Sequence, residues 1–347
     1  MNIGILNSGG DCPGLNAVTK SVVLAAKNNG NHKVYGFYDG FEGMYKNDGY
    51  SELTLKDVDS IERRGGTILG TTNKGDFSEI GSQKEPSEQA KQILKQIKQT
   101  KERLDLDALI VTGGDGSLRI AYWVGLQTGM NIIGIPKTID NDLANTDITL
   151  GFSTAVQTAC DAIGKIKDTA QALDRILVVE VMGWSAGWIA LESGLAGGAD
   201  IILLPEIPYS FENVANFIKS KIPHEKNSMI IVIAEGTPEK NRKADDKSAG
   251  MKLSHELANL GIETRASILG YIQRGGEPIA YDKILGTRLG AKAIEIILKG
   301  ESNKFISIHA NEIIVLPLQM AATDTKFVPP QHHLIKTAKD IGIYFGE

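Results

Sequence analysis

Compact apolar runs alternate along the chain with stretches in which apolar residues recur every three or four positions. Runs at residues 2–6, 108–111, 132–135, Ile176–Val181, 201–204 and Met229–Ala234 are short and dominated by aliphatic residues. That is the pattern of strands buried on both faces of a parallel sheet. Between them, residues 15–27 place Val18, Val22, Val23 and Leu24 on one helical face. Residues 90–104 place Ala90, Ile93, Leu94 and Ile97 inward, with lysines outward. Residues 118–130, 153–167 and 280–299 are further helices, 31–38 a further strand, and 313–316 with 334–341 the elements of the tail. The alternation predicts an α/β architecture, and no internal repeat, heptad or low-complexity tract interrupts it.

A length of 347 residues suits two α/β lobes better than one core. A net charge of -5 argues against nucleic acid as the main partner, and the lysines of 90–104 therefore read as a solvated helix face. No apolar run approaches a membrane span, so no membrane partner is expected. The chain enters its first strand with no basic leader, so no signal peptide is expected. Two cysteines make no disulfide framework, which fits a reducing cytoplasm. Residues 235–251 are charged and small, the composition of a mobile surface loop.

Chemistry concentrates in two stretches, Gly113-Gly114-Asp115-Gly116-Ser117 and Pro136-Lys137-Thr138-Ile139-Asp140-Asn141-Asp142. Each follows a predicted parallel strand, and ligands of such sheets bind at the C-terminal strand ends. Glycines admit backbone to a phosphate, and the N–H groups of a helix start point at the anion. Two carboxylates and a lysine supply a general base, a metal partner and a countercharge, which together indicate phosphoryl transfer. Taken singly, Asp140 also fits an Asx turn and Asp115 a helix cap. A glycine-rich loop at 65–74 ends in Asn73 and Lys74, candidate phosphate contacts. Cys12 precedes a helix start, where a thiolate is favoured, but reads as a space-filler. His332 and His333 lack metal-site spacing, and Trp184 and Trp188 read as packing.

These two stretches resemble the phosphofructokinase family in order and spacing. So do Asn7-Ser8-Gly9-Gly10-Asp11-Cys12-Pro13-Gly14-Leu15-Asn16, Glu180-Val181-Met182-Gly183 and Gly194-Leu195-Ala196-Gly197-Gly198. Glu263-Thr264-Arg265 and Leu269-Gly270-Tyr271-Ile272-Gln273-Arg274-Gly275-Gly276 complete the match. The resemblance implies two Rossmann-like three-layer α/β/α lobes with the active site in the cleft between them. Residues 1–140 with 266–310 would form the larger, donor lobe, and 141–265 with 311–347 the smaller, sugar-phosphate lobe. It implies transfer of the γ-phosphate of ATP to O1 of fructose 6-phosphate. Asp140 would be the base, with Lys137, Thr138 and Asp142 beside it. Gly10, Asn73, Lys74, Gly114, Asp115, Gly116 and Ser117 would hold ATP, and Asp115 its Mg2+. Thr138, Ile139, Asp140, Met182, Gly183, Trp184, Glu235, Tyr271 and Arg274 would hold the sugar phosphate. Arg175 and Arg265 would reach it across a subunit interface, which implies a homo-oligomer, a tetramer above all.

Several positions depart from the common bacterial pattern. Asn73 and Trp184 stand where many ATP-dependent members carry arginines, Lys137 replaces a glycine, and Tyr271 a histidine. Lys20, Leu24 and Leu55 fall where allosteric members carry effector-binding arginines, so weak effector control is expected. Pyrophosphate-dependent relatives usually carry aspartate where this chain has Gly116, which favours ATP; Lys137 points toward pyrophosphate. Asn73 and Trp184 leave open a third alternative, a catalytically impaired sensor of sugar phosphates or nucleotides.

Overall fold

The apolar run that opens the chain becomes the centre of a parallel sheet, and the runs that follow take their places around it. The computed structural model describes residues 1–72, 75, 77, 80, 86–221, 228–237, 248–322 and 324–347. In chain order these form β1 (Asn2–Asn7), α1 (Leu15–Asn28), β2 (Lys33–Phe37), α2 (Glu42–Tyr45), β3 (Tyr50–Glu52), α3 (Glu88–Leu104), β4 (Ala108–Gly113), α4 (Asp115–Thr128) and β5 (Ile132–Pro136). There follow α5 (Phe152–Ala172), β6 (Ile176–Val181), α6 (Trp188–Ala196), β7 (Ile201–Leu203), α7 (Phe211–Lys221), β8 (Met229–Ala234) and α8 (Ala249–Asn259). The last elements are β9 (Thr264–Ile268), α9 (Ala280–Leu298), β10 (Lys304–His309), β11 (Glu312–Pro317) and α10 (His333–Asp340).

The chain divides into two units, the first comprising Met1–Thr138, Leu143–Ser153 and Arg274–Thr325. Its sheet has the order β11-β10-β5-β4-β1-β2-β3, parallel throughout except for the antiparallel edge strands β3 and β11. Leu6, Phe37, Leu109, Val111, Ile132 and Phe305 are buried in its core. Asn7 pairs with Thr112 and Gly113 with Pro136, so β1, β4 and β5 end at one level. That shared edge is where the segments starting at Ser8, Gly114 and Lys137 begin.

The second unit comprises Ile139–Asp142, Thr154–Gln273 and Lys326–Glu347. Its sheet, β7-β8-β6-β9, is parallel throughout, with a core that includes Val178, Ile201, Ile231, Ile233, Leu253 and Leu257. Val181 and Ala234 end β6 and β8 side by side, and Ile176, Met229 and Thr264 begin three strands at the opposite edge.

Several features differ from the sequence reading, among them residues 139–140, which fall in the second unit, and 143–153, which fall in the first. Helix α4 starts at Asp115 rather than 118, because Gly114 is its N-cap and the glycine-rich segment supplies its first turn. β11 pairs with β10 in the first unit, so the chain returns to the second unit after Thr325 instead of at 311. Residues 266–273 belong to the second unit, since β9 pairs with β6. Of the expected loop at 235–251, residues 238–247 lie outside the described residues. Among the described residues no helix is long and apolar enough to cross a membrane.

Candidate active site

In the first unit, three backbone segments and one lysine converge where β1, β4 and β5 end. Gly9 takes a φ of 89°, in the region that favours glycine, and its N–H donates to Thr72 O at 3.0 Å. The Thr71 hydroxyl donates to Gly9 O at 2.7 Å, and the Asn7 amide to Thr67 Oγ1 at 2.6 Å. These bonds fasten the Gly9-Gly10 turn to the glycine-rich loop that follows Gly65. Lys137, only 3% exposed, donates from Nζ to Gly10 O at 2.6 Å, and its own backbone N–H donates to Gly113 O at 3.0 Å. One residue thus ties the β1 turn to the end of β4. A methyl group on Gly9 would lie 3.1 Å from Ser117 Oγ and 3.3 Å from Lys137 Nζ, which fixes how closely these groups surround the turn.

Helix α4 presents its N-terminus to the same place. Its first N–H groups have no intrahelical acceptor and carry the positive end of the helix dipole. Among the described residues, neighbouring backbone of the helix aside, nothing lies within 4 Å of where a Cβ on Gly116 would stand. The Asp115 carboxylate is 55% exposed and pairs with Arg119, one turn on, at 3.1 Å. An exposed pair of this kind is weak and readily exchanged. An ion that keeps most of its waters needs only one or two carboxylate oxygens, so Asp115 fits a phosphate-bound Mg2+. Among the described residues no group of three or more His, Cys, Asp or Glu side chains makes a ready metal centre. Arg274 also belongs to this unit, with Nη1 donating to Asp11 O at 3.3 Å. Asn73 and Lys74 lie outside the described residues.

Cys12 is buried, with Sγ donating to Leu150 O at 3.4 Å. Burial pushes the thiol up to about 12, against the pull of Lys137, so it fills space and carries no charge. Lys20 is held by Glu62 at 2.6 Å, and that ammonium lowers the Glu62 carboxyl. Leu24 and Leu55 are exposed. The one cation among these three positions is therefore already matched by an acid.

In the second unit, a different group assembles where β6 and β8 end. Met182 N–H donates to Oε1 of Gln273, which is fully buried, and Trp184 N–H donates to Glu235 Oε1 at 2.9 Å. Gly183 and Trp184 take φ values of 134° and 50°, and a side chain on Gly236 would collide with Trp184 O. The backbone of 182–184 is thereby held against Glu235. Trp184 is 65% exposed, which corrects its reading as packing. Trp188 does pack, donating from Nε1 to Lys326 O at 2.8 Å with His332 edge-on to its ring. His332 caps α10, and burial lowers its imidazole below the usual range. Tyr271 is 83% exposed.

Residues 139–142, which carry Asp140, belong to the second unit as well. Ile139 is fully buried and anchors the segment, Asp140 is half-buried, and Asn141 takes a φ of 51°. Just before it, Thr138 O accepts from the Thr149 hydroxyl at 2.7 Å.

Arg175 and Arg265 stand elsewhere. Arg175 precedes β6 and Arg265 is the second residue of β9, so both lie at the sheet edge opposite Met182 and Glu235. Six residues of β6 intervene, about 20 Å of extended chain. The two arginines, with Lys219, Asp174 and Glu263, line a cavity of about 540 Å³, and Arg265 pairs with Glu263 at 2.9 Å. Sequence reasoning named Thr71, Thr72 and Gln273 only as members of their motifs, and it did not single out Gly236, Arg119 or Lys326. Only a glycine-rich or charged neighbourhood marks any of them.

The Phosphofructokinase family model matches residues 2–297. An ATP-dependent 6-phosphofructokinase of Spirochaeta thermophila is 41% identical over 358 aligned positions, covering 99% of this chain and 97% of that protein. ATP-dependent 6-phosphofructokinase 3 of Bacteroides thetaiotaomicron is 40% identical, with 100% of both chains covered. Among solved structures, phosphofructokinase from Saccharomyces cerevisiae aligns with a TM-score of 0.81 at 30% identity, over 92% of this chain and 45% of the yeast chain.

Proposed function

The chain belongs to the phosphofructokinase family, and we propose that within it the protein is an ATP-dependent 6-phosphofructokinase. It transfers the γ-phosphate of ATP to O1 of fructose 6-phosphate, giving fructose 1,6-bisphosphate and ADP. The observation that supports the choice of donor is the space beside Gly116, where among the described residues nothing outside the helix backbone lies within 4 Å of an added Cβ. An ATP α-phosphate can approach α4 there; a carboxylate in that place would fill the space and repel the polyanion.

The donor phosphates lie against the Gly10 turn and the N-terminus of α4, where Gly114, Asp115, Gly116 and Ser117 offer backbone N–H groups and a dipole. Lys137 spends one of its three N–H bonds on Gly10 O and sets its charge beside that turn. Mg2+ on Asp115, when bound, neutralises charge on the donor phosphates. Asp140 accepts the proton of the O1 hydroxyl as that oxygen bonds to the γ-phosphorus and ADP departs. Thr138, Ile139 and Asp142 shape the segment around it, and Asn73 and Lys74 supply further donor contacts.

Met182, Gly183, Trp184, Glu235 and Tyr271 hold the sugar, and Arg274 adds a guanidinium for its phosphate. Arg175 and Arg265 serve the sugar phosphate of a neighbouring copy. Their place one strand length from Met182 and Glu235 supports that reading, because a side chain spans far less than about 20 Å. The working form is then a homo-oligomer, a tetramer, in the cytoplasm. Phosphorus NMR of the product of ATP, Mg2+ and fructose 6-phosphate tests the reaction. A new phosphate ester on C1 with ADP in equal amount is expected; ATP hydrolysis alone, or no turnover, would overturn it.

A further inference from the structure

The carboxylate of a general base must be held where the hydroxyl will be, and misplacement by about 1 Å costs roughly a hundredfold in rate. Within the second unit, the segment bearing Asp140 is gripped by a residue far away in sequence. Lys326 N–H donates to Asp142 O at 2.7 Å, and Lys326 Nζ donates to Asn141 Oδ1 at 3.1 Å. Asn141 is 3% exposed and stands in the left-handed region, where a polar side chain that bonds locally is favoured.

Lys326 is itself fastened. Its carbonyl accepts from Trp188 Nε1 at 2.8 Å, and its ammonium lies 5.4 Å from the centroid of that indole ring. Two residues on, Val328 N–H donates to Glu206 Oε1 at 2.9 Å, the same oxygen that accepts from Gly187 N–H. The tail segment is therefore pinned to the start of α6 and to the turn after β7, and through Lys326 it holds both residues that follow Asp140.

We infer that Lys326 is a positioning residue for Asp140: the C-terminal segment fixes the turn at Asn141 and Asp142 and thereby aims the base. Removing the ammonium loosens the turn, while the groups that bind the sugar, on Met182, Gly183 and Glu235, keep their own partners. The inference rests on the reading of Asp140 as base.

The test is a double-mutant cycle on the full-length protein, with melting temperatures recorded for every variant. Lys326→Met should lower kcat by about tenfold, the scale of one charged hydrogen bond, with KM for fructose 6-phosphate changed less than about twofold. Lys326→Arg should recover most of the loss. In the Asp140→Ala background, where the base is gone, Lys326→Met should change the residual rate less than about twofold. Should Lys326→Met fold poorly, Asn141→Gly replaces it. Glycine keeps the φ of 51° accessible and removes only the side chain that Lys326 holds, so the same kcat-specific loss is expected. Equal losses of kcat with and without Asp140, or a loss confined to KM, would overturn the inference. So would wild-type turnover in Lys326→Met, or in Asn141→Gly where that variant takes its place. Full activity of Asp140→Ala alone would instead overturn the assignment of the base.

Discussion

The Lys137 ammonium lies 2.6 Å from the carbonyl oxygen of Gly10, across 127 residues of sequence, with the lysine 97% hidden from solvent by its 3% exposure. A buried cation needs such an acceptor, since an unpaired ammonium in that position would lose its proton or unfold the site. The same contact places fixed positive charge beside the turn proposed to receive the donor phosphates. On the proposed reading, two demands, stability and catalysis, fall on one side chain.

Lys137→Met should therefore reduce kcat by at least about tenfold, more than it raises KM for either substrate, because charge at the moving phosphate counts most in the transition state. Steady-state kinetics with each substrate varied in turn check this. A change confined to KM would mean that Lys137 only grips ground-state substrate.

Asp140→Ala should lower turnover by at least about a hundredfold, the usual scale for a positioned base, and leave fructose 6-phosphate affinity within about threefold. Calorimetric binding beside the rate assay separates the two. Turnover within a few-fold of the parent would remove Asp140 from the role.

Glu192, on α6, carries a carboxyl that burial pushes up to about 7, with Lys326 pulling it down. Its value in the folded chain thus exceeds that in the unfolded chain. The stability it contributes is whole below the unfolded value and is lost as pH rises through the folded one. Glu192→Gln, which stays neutral, should melt progressively higher than the parent between pH 5 and pH 8, by about 5 °C at the upper end. A difference that does not change with pH would show that the carboxyl titrates normally.

At Lys20 the only cation of three candidate effector positions is already bound to Glu62 at 2.6 Å. Half-saturation by fructose 6-phosphate should shift less than about twofold with ADP or phosphoenolpyruvate, since none of these three described positions offers a polyanion a guanidinium fork. Substrate titrations at fixed saturating donor measure it. A shift of tenfold or more with either ligand would contradict this.

Much of this was legible in the sequence where burial is complete. β6 and β8 match their apolar runs residue for residue because every position is buried. β9 escaped notice because it is an edge strand with polar Thr264, Arg265 and Ser267 in its sequence and with Arg265 and Ile268 exposed. Trp184 was legible as a departure but not as an exposed residue. Its spacing of four from Trp188 imitates a helix, whereas α6 starts only at Trp188 and the chain before it turns through Gly183. The glycine-rich turns were legible because a positive φ, such as those of Gly9 and Gly66, falls on residue type. The grip of Lys137 on Gly10 and of Lys326 on Asn141 left no periodicity to find. Those contacts arise from strand register and from the return of the tail.

Initial rates with fructose 6-phosphate and Mg2+, offering ATP and pyrophosphate separately to the parent and to Gly116→Asp, bear most directly on the central claim. The parent should turn over with ATP and scarcely with pyrophosphate, and Gly116→Asp should lose at least about a hundredfold in kcat/KM for ATP, because its carboxylate enters the space the α-phosphate needs. Turnover of the parent with pyrophosphate and none with ATP, or undiminished ATP use by Gly116→Asp, would contradict the account.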